Sequence, residues 1–318
     1  MGDVIMSIAV LDAVRKRFPT SRITLLIGKP GRDLLRAADV SDDQIVVDRV
    51  ELRDSNKLWS IRELYRLVRE IRSRKFDLVV DLNSFYETNI IGFLSGARDR
   101  LYAIRPGRSL DRLANFPFRP VPEDRSKHLT DRYFDVVAPL GVEPNSGKSR
   151  VSVPDEDQER AKALIEGLGA ADKRRIGLFV GAGHPSRCWR LERFEKLSEM
   201  LLEDERNAVF VFLGPEEMDL KDTVMAGFSG RVHVISDLSL LTFMAMTSLM
   251  SVFVTNDTGP LHVATLAGST IVLLIDKQAP ADFLPRSDKL LVLNTQLLDD
   301  LAVEEVYNAV TDAIGGEQ

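Results

Sequence analysis

Apolar residues recur along the chain with two different spacings, and the spacing changes from one segment to the next. Continuous apolar runs such as 22–28, 76–83 and 270–275 are typical of buried strands. The segments between them carry apolar residues about three or four positions apart, which predicts amphipathic helices. Strands that alternate with helices in this way indicate parallel βαβ units.

The pattern predicts two such series, separated by a less regular section near 98–150 that contains one helix. The predicted helices cover 4–18, 30–39, 60–75, 129–141, 155–169, 191–204, 216–228, 238–250, 260–267 and 302–315. The predicted strands cover 22–28, 44–50, 76–83, 175–183, 208–214, 231–236, 252–255 and 270–275. In the helix at 155–169, Asp155 is the expected N-cap and Gly169 the expected end.

We therefore expect an α/β fold of two doubly wound Rossmann-like domains that face each other across a cleft. The N-terminal domain is placed at 1–155 and the C-terminal domain at 156–318. A doubly wound domain normally begins with a strand, whereas this sequence opens on a helix. Either the first strand of the N-terminal domain is missing from the sequence, which we favour, or this domain is built differently.

Composition narrows the class of protein. Of the 318 residues, 44% are hydrophobic and 28% are charged, as in ordinary globular proteins. The net charge of −6 argues against a nucleic-acid partner, because phosphate backbones require a basic surface. The single cysteine, Cys188, excludes a disulfide framework and a cysteine zinc site. No apolar run reaches the ~18 residues of a spanning helix and no signal-peptide pattern is present, so we expect a cytoplasmic protein.

The most informative polar segment is 256-NDTGPLH-262, between an apolar strand and a helix. Ligands of open α/β sheets bind beyond the carboxyl ends of the strands, where helix N-termini present N–H groups. Asp257, Thr258 and Gly259 fall at that position, with His262 one turn later. The alternative is an Asp or Thr N-cap followed by a helix-starting proline.

A second candidate segment, 180-VGAGHPSRCWRLERF-194, also follows a predicted strand. Gly181 and Gly183 allow close approach of a phosphate, Ser186 can donate a hydrogen bond, and Arg187 can pair with the phosphate through its planar guanidinium. The same glycines are equally compatible with a structural loop, and Trp189 is expected to pack in the core. The spacing is not GxGxxG, which disfavours a dehydrogenase.

Two acidic positions remain as candidates. Glu216, in 213-LGPEEM-218 at another strand end, could accept hydrogen bonds from ribose hydroxyls, or it could be a first-turn residue favoured by the helix dipole. Asp3 precedes the first predicted helix, where an N-cap is the simplest role. A cleft-facing Asp3 could instead act as a general base on a hydroxyl.

Taken together and in this order, these motifs resemble the heptosyltransferase family, glycosyltransferase family 9, whose fold is GT-B. The matching pieces are Gly2–Asp3 before a helix, 76–83, 128-HLTDRY-133, 180–194, 213–217 and 256-NDTGPLHVATLAG-268. The last is the most specific, since Asp-(Thr/Ser)-Gly-x-x-His after a strand is close to a family signature.

The resemblance implies an inverting, metal-independent transfer of a sugar, typically heptose from ADP-heptose, to a hydroxyl of a lipopolysaccharide-core-type acceptor. It implies no cofactor and a nucleotide-sugar donor as partner. If the residue roles of the family are transferred to this sequence, Asp3 is the catalytic base and Glu216 binds the ribose. Arg187 stands where the family usually has a lysine that contacts the donor phosphate. The donor site is completed by Asp257, Thr258, Gly259 and His262.

The acceptor is a glycolipid or glycan by the same resemblance, which implies peripheral contact with the inner membrane surface. Arginines of the middle section either form a lipid-facing patch or are plain solvated loop residues. They are Arg98, Arg100, Arg105, Arg108, Arg112, Arg119, Arg125 and Arg132.

Two alternatives stay open. One is a related transferase that uses another nucleotide sugar and glycan, since 276-DKQAPADFLP-285 departs from the family pattern. The other is a nucleotide-binding protein impaired in catalysis, because the truncated N-terminus leaves Asp3 at a chain end.

Overall fold

A computed structural model describes residues 1–144, 151–184, 187–277 and 281–315. The chain divides into two compact units. The first unit comprises residues 1–5 together with 150–318, and the second comprises 6–149.

Helices and strands alternate along both units. The α-helices are α1 (Gly2–Arg17), α2 (Arg32–Ala37), α3 (Arg49–Asp54), α4 (Lys57–Ser73), α5 (Tyr86–Leu94), α6 (Leu129–Val137), α7 (Asp155–Gly167), α8 (Leu191–Leu201), α9 (Lys221–Gly227), α10 (Leu240–Ser248), α11 (Gly259–Leu266) and α12 (Val303–Gly315). The strands are β1 (Thr24–Gly28), β2 (Asp43–Val47), β3 (Leu78–Asp81), β4 (Asp99–Tyr102), β5 (Arg174–Phe179), β6 (Asn207–Phe212), β7 (His233–Ile235), β8 (Val252–Asn256), β9 (Ile271–Asp276) and β10 (Leu290–Thr295).

The first unit contains a parallel sheet with the strand order β10-β9-β8-β5-β6-β7. Alternate side chains of a strand point to opposite faces, and β8 shows the result. Val252 and Val254 enter the core layer that contains Trp189, whereas Phe253 enters the layer on the other face. Because both faces are covered, every residue of β6 and β8 is buried, as continuous apolar runs predict.

The second unit is built differently. Its described strands form two separate parallel pairs, β1 with β2 and β3 with β4. Their side chains are less buried than those of the first unit, and Leu26 and Val46 are exposed. Helix α4 packs Leu67 and Ile71 against Ile45 of β2.

The sequence prediction missed the helices α3 and α5 and the strands β4 and β10, and it misplaced one cap. Helix α5 buries Asn89 and Gly92 and exposes Ile90, Phe93 and Leu94, so its sequence does not show the usual apolar inner face. Asp155 is not the N-cap of α7, because Pro154 occupies that position and Asp155 is the first helical residue. The predicted end at Gly169 is confirmed by its left-handed backbone, with φ of 66°.

Candidate functional site

The site predicted from sequence lies where the strand order reverses. From β5 the chain adds β6 and β7 on one side of the sheet and then crosses to β8 on the other side. The loops that leave β5 and β8 therefore diverge and form the crevice in which doubly wound sheets bind ligands. Gly181 and Arg187 follow β5, and Asp257 follows β8, so the structure brings the two predicted segments together.

One buried amide holds these two loops in place. The side chain of Asn256 is fully buried, accepts a hydrogen bond from the Trp189 N–H at 3.0 Å and donates one to the Gly181 carbonyl at 3.0 Å. Sequence reasoning did not single out Asn256 as a site residue. The available signal was an amide at the end of an apolar strand, where it could only be buried.

Arg187 and Asp257 form a loose charged pair at the mouth of this crevice. Arg187 Nη1 lies 3.9 Å from Asp257 Oδ2, and about half of the Arg187 side chain is exposed. Burial raises the pKa of Asp257, Arg187 opposes that rise, and Asp276 adds to it. The surrounding groove is lined by Arg187, Asp257, Leu274, Ile275, Asp276 and Leu298.

The start of α11 forms the floor beside this pair. Thr258 occupies the N-cap position, but its side chain makes no capping hydrogen bond. Helix capping is therefore not the role of the Thr258 hydroxyl. Gly259 begins the helix with Pro260 in its first turn. His262, one turn later, is buried.

Residues 1–5 belong to the same unit as α11, and the first turn of α1 packs beside it. A Cβ atom placed on Gly2 would lie 2.9 Å from Nε2 of His262, and one placed on Gly259 would lie 3.4 Å from the Cβ of Met1. Asp3 is exposed and is the second residue of α1, so it is not the N-cap. The structure therefore places Asp3 next to the start of α11.

The two glutamates after β6 differ in their exposure to solvent. Glu216 is exposed, whereas Glu217 is buried and its Oε2 accepts the Gly214 N–H at 3.1 Å. A Cβ on Gly181 would overlap the Glu217 carboxylate, so the glycine loop after β5 lies directly against this side chain. Burial raises the pKa of Glu217 and its neighbour Glu216 adds to the rise. Sequence reasoning proposed Glu216 as the ribose-binding carboxylate and did not propose Glu217.

The rest of the loop after β5 is partly described. Gly183 and His184 are exposed, while Ser186 lies outside the described residues. Burial raises the pKa of the Cys188 thiol to about 11, which makes it a poor nucleophile. Trp189 is fully buried and packs edge-to-face on Phe194, so the prediction of a packing role is confirmed.

Comparison with known proteins decides the family. The family model for glycosyltransferase family 9 (heptosyltransferase) matches residues 64–297. The chain belongs to this family. It is a glycosyltransferase, and the predicted α/β, GT-B fold class is confirmed.

Individual known proteins resemble the chain over most of its length. The lipopolysaccharide core heptosyltransferase OpsX of Haemophilus influenzae is 18% identical over 276 residues, which cover 86% of this chain and 75% of that protein. A family 9 structure from Veillonella parvula has a TM-score of 0.86 at 23% identity and covers 99% of this chain and 94% of that one. Escherichia coli heptosyltransferase WaaC with ADP-2-deoxy-2-fluoro heptose has a TM-score of 0.77 at 14% identity, covering 98% and 96%.

Two kinds of feature do not occur in the described ranges. No three histidine, cysteine or carboxylate side chains there come together as a metal site. Nor is any helix in those ranges long and apolar enough to cross a membrane.

Proposed function

We propose that this glycosyltransferase moves heptose from ADP-heptose to a hydroxyl of a lipopolysaccharide-core acceptor, with inversion and without a metal ion. The observation that carries the proposal is the meeting of Arg187 with the Asp257–Thr258–Gly259 turn at the switch point of the parallel sheet. The substrate class is supported by the related proteins, one named for the lipopolysaccharide core and another solved with an ADP-linked heptose analogue.

The charges of the site suggest how the donor is oriented. The Arg187 guanidinium is half exposed, and its 3.9 Å distance from the Asp257 carboxylate is too long for a hydrogen bond. It can therefore turn to the donor diphosphate. The start of α11 adds its dipole at Gly259 and favours the negative charge of the departing ADP. An ionised Asp257 can only accept hydrogen bonds and repels phosphate, so its partners are hydroxyls of the sugar.

We assign the ribose contact to Glu217 in preference to the sequence-predicted Glu216. Glu217 is held in place by the Gly214 N–H and touches the glycine loop at the carboxyl end of β5. An exposed Glu216 must first lose side-chain freedom to bind a ligand, whereas Glu217 is already fixed.

The transfer is a single displacement. Asp3 accepts the proton of the acceptor hydroxyl, and that oxygen forms a bond to the anomeric carbon of the sugar. The bond from this carbon to the phosphate oxygen breaks, and its electron pair leaves with ADP. Attack opposite the leaving group inverts the configuration, and Asp3 needs only the exposed position that it has beside α11.

Calorimetric titration with ADP, UDP and GDP tests the site. We expect the wild type to prefer ADP. Arg187→Ala should weaken ADP binding about 10- to 100-fold, the range for a hydrogen bond between charged groups. Glu217→Gln should weaken it about tenfold through the ribose.

Two neighbouring substitutions serve as matched controls. Arg190→Ala removes an exposed arginine of the same segment that pairs instead with Asp299, and Glu216→Gln removes the adjacent carboxyl group. Both should leave ADP affinity unchanged. Equal losses in Arg190→Ala and Arg187→Ala would contradict the phosphate assignment, and a preference for UDP or GDP would favour the related transferase with another donor.

A further inference from the structure

Helix α4 has an unusual solvent-facing side. Leu58, Ile61 and Tyr65 lie three and four positions apart, and their exposed fractions are 81%, 63% and 69%. The opposite side of the helix already packs in the core through Leu67 and Ile71. The exposed stripe is therefore a second apolar side of α4, in addition to its core-facing side.

The charges on α4 are strongly asymmetric. The helix has five basic residues, all exposed, and two acidic residues. The basic residues are Lys57, Arg62, Arg66, Arg69 and Arg72. Glu63 pairs with Arg66, and Glu70 pairs with Arg74 just beyond the helix. Arg62, Arg69 and Arg72 share the exposed side with Leu58 and Tyr65, and neither carboxylate lies on that side.

Helix α5 meets the exposed side of α4 at Arg72. Arg72 Nη1 at the end of α4 lies 3.4 Å from the Leu94 carbonyl at the end of α5, so the helices are neighbours. Ile90, Phe93 and Leu94 are exposed on α5 by 43%, 48% and 39%. We define the basic apolar face by its residues: Leu58, Ile61, Arg62, Tyr65, Arg69 and Arg72 of α4 with Ile90, Phe93 and Leu94 of α5.

The arginines that the sequence suggested as a lipid-facing patch are largely engaged elsewhere. Arg105 and Arg132 both pair with Glu123, at 3.2 Å each, and are mostly buried. Arg100 donates to the Leu113 and Ala97 carbonyls. The basic apolar face is therefore a different surface from the one that sequence reasoning indicated.

We propose that the basic apolar face docks on an anionic lipid bilayer. An exposed helix side with aliphatic and aromatic residues flanked by arginines matches an interfacial helix, whose apolar groups enter the headgroup region while cations contact lipid phosphates. The exposed side of α4 carries no carboxylate, and α5 adds one exposed carboxylate, Glu87, beside Ile90 and Leu94. The three arginines of the face outnumber it, so the face keeps a net positive charge that is complementary to a negative surface. The overall charge of −6 makes this local excess of cations a property of the face, not of the whole chain.

Co-sedimentation of the full chain with vesicles tests the proposal without donor, acceptor or turnover, so its outcome is independent of the proposed reaction. We expect binding to phosphatidylethanolamine–phosphatidylglycerol vesicles and little binding to phosphatidylcholine vesicles. Arg62→Glu with Arg69→Glu should lower partitioning about 25-fold or more, at about fivefold per cation. Tyr65→Ser should lower it about tenfold by removing apolar contact.

A control of equal charge change comes from α7, where Arg160→Glu with Lys162→Glu alters two exposed cations of the other unit. This variant should bind vesicles as well as the wild type does. The proposal is overturned by equal losses in the two double variants, or by no binding of the wild type to anionic vesicles. A wild-type dimer in light scattering that Tyr65→Ser dissociates would also overturn it, by showing that the face joins two copies of the chain.

Discussion

Asp3 carries the greatest functional weight of any single side chain in the proposed reaction. Its carboxylate is exposed in the first turn of α1, and its neighbour Gly2 lies against His262. Asp3→Asn keeps the shape of the side chain but removes the base. Turnover, measured as ADP release in the presence of donor and acceptor, should fall about 10²- to 10⁴-fold, the usual contribution of a general base.

ADP affinity of Asp3→Asn should stay unchanged, which separates loss of chemistry from loss of binding. Asp12→Asn on the same helix removes a carboxylate that pairs with Lys16, and it should keep full turnover. Wild-type turnover in Asp3→Asn would rule out the proposed base.

At the residue scale, the sequence could locate the acidic segment 216–217 but could not choose between its two members. Both residues lie in the first turn of a short 3-10 helix, Pro215–Leu220, where any acid is favoured. Only the backbone path after β6 decides that Glu217 turns inward to the Gly214 N–H while Glu216 faces solvent.

At the scale of elements, the site depends on the connection between the ends of β5 and β8, and Asn256 provides it. Asn256→Ala should leave the buried Trp189 N–H and the Gly181 carbonyl without their side-chain partner. Each unsatisfied buried group costs about 1–3 kcal/mol, so we expect the two together to lower the free energy of unfolding by about 2–6 kcal/mol. Urea unfolding followed by circular dichroism measures it.

Ser251→Ala supplies a comparison at the other end of the same strand, where the hydroxyl accepts a long 3.3 Å bond from the Arg175 N–H. That change should cost less than about 1 kcal/mol. Similar losses in the two variants would show that Asn256 is not the link between the loops.

Elements with clear periodicity were predicted and those without it were missed. Helix α8 and the strands β6 and β8 follow directly from apolar spacing. Helix α5 was missed because it buries Asn89 and Gly92 and exposes Ile90 and Phe93, the reverse of the usual apolar pattern. If the basic apolar face binds lipid, this deviation from an ordinary surface helix has a functional cause.

At the scale of the whole molecule, the two units differ in how completely their strands are covered. All of β6 and β8 is buried within a six-stranded sheet, whereas β1 and β3 lie in two-stranded pairs with half-exposed side chains. Hydrogen–deuterium exchange followed by mass spectrometry should therefore find the slowest amides in β6 and β8 and faster exchange in β1 and β3.

ADP should slow exchange further in the segments that follow β5 and β8, because a ligand that binds only the folded state stabilises that state. Uniform protection of β1, β3, β6 and β8 would contradict the difference in stability. Protection by ADP confined to the second unit would contradict the location of the site.

The sequence by itself determined the fold class, the order of most elements and the two segments that form the candidate site. The spacing of apolar residues along the sequence reflects which face of each helix or strand is buried. A polar turn after a buried strand marks the carboxyl edge of a parallel sheet, where ligands bind. The collinear motifs of the sequence also indicated the family, and the family model over 64–297 agrees.

Tertiary structure alone decided which side chains meet. It brought Arg187 to Asp257 across 70 residues of sequence, assigned Asn256 to the link between loops and turned Glu217 inward. It also directed Arg105 and Arg132 to Glu123 and left the arginines of α4 exposed. Spacing along a chain fixes the direction of a side chain within its own element, but its partners depend on how distant elements pack.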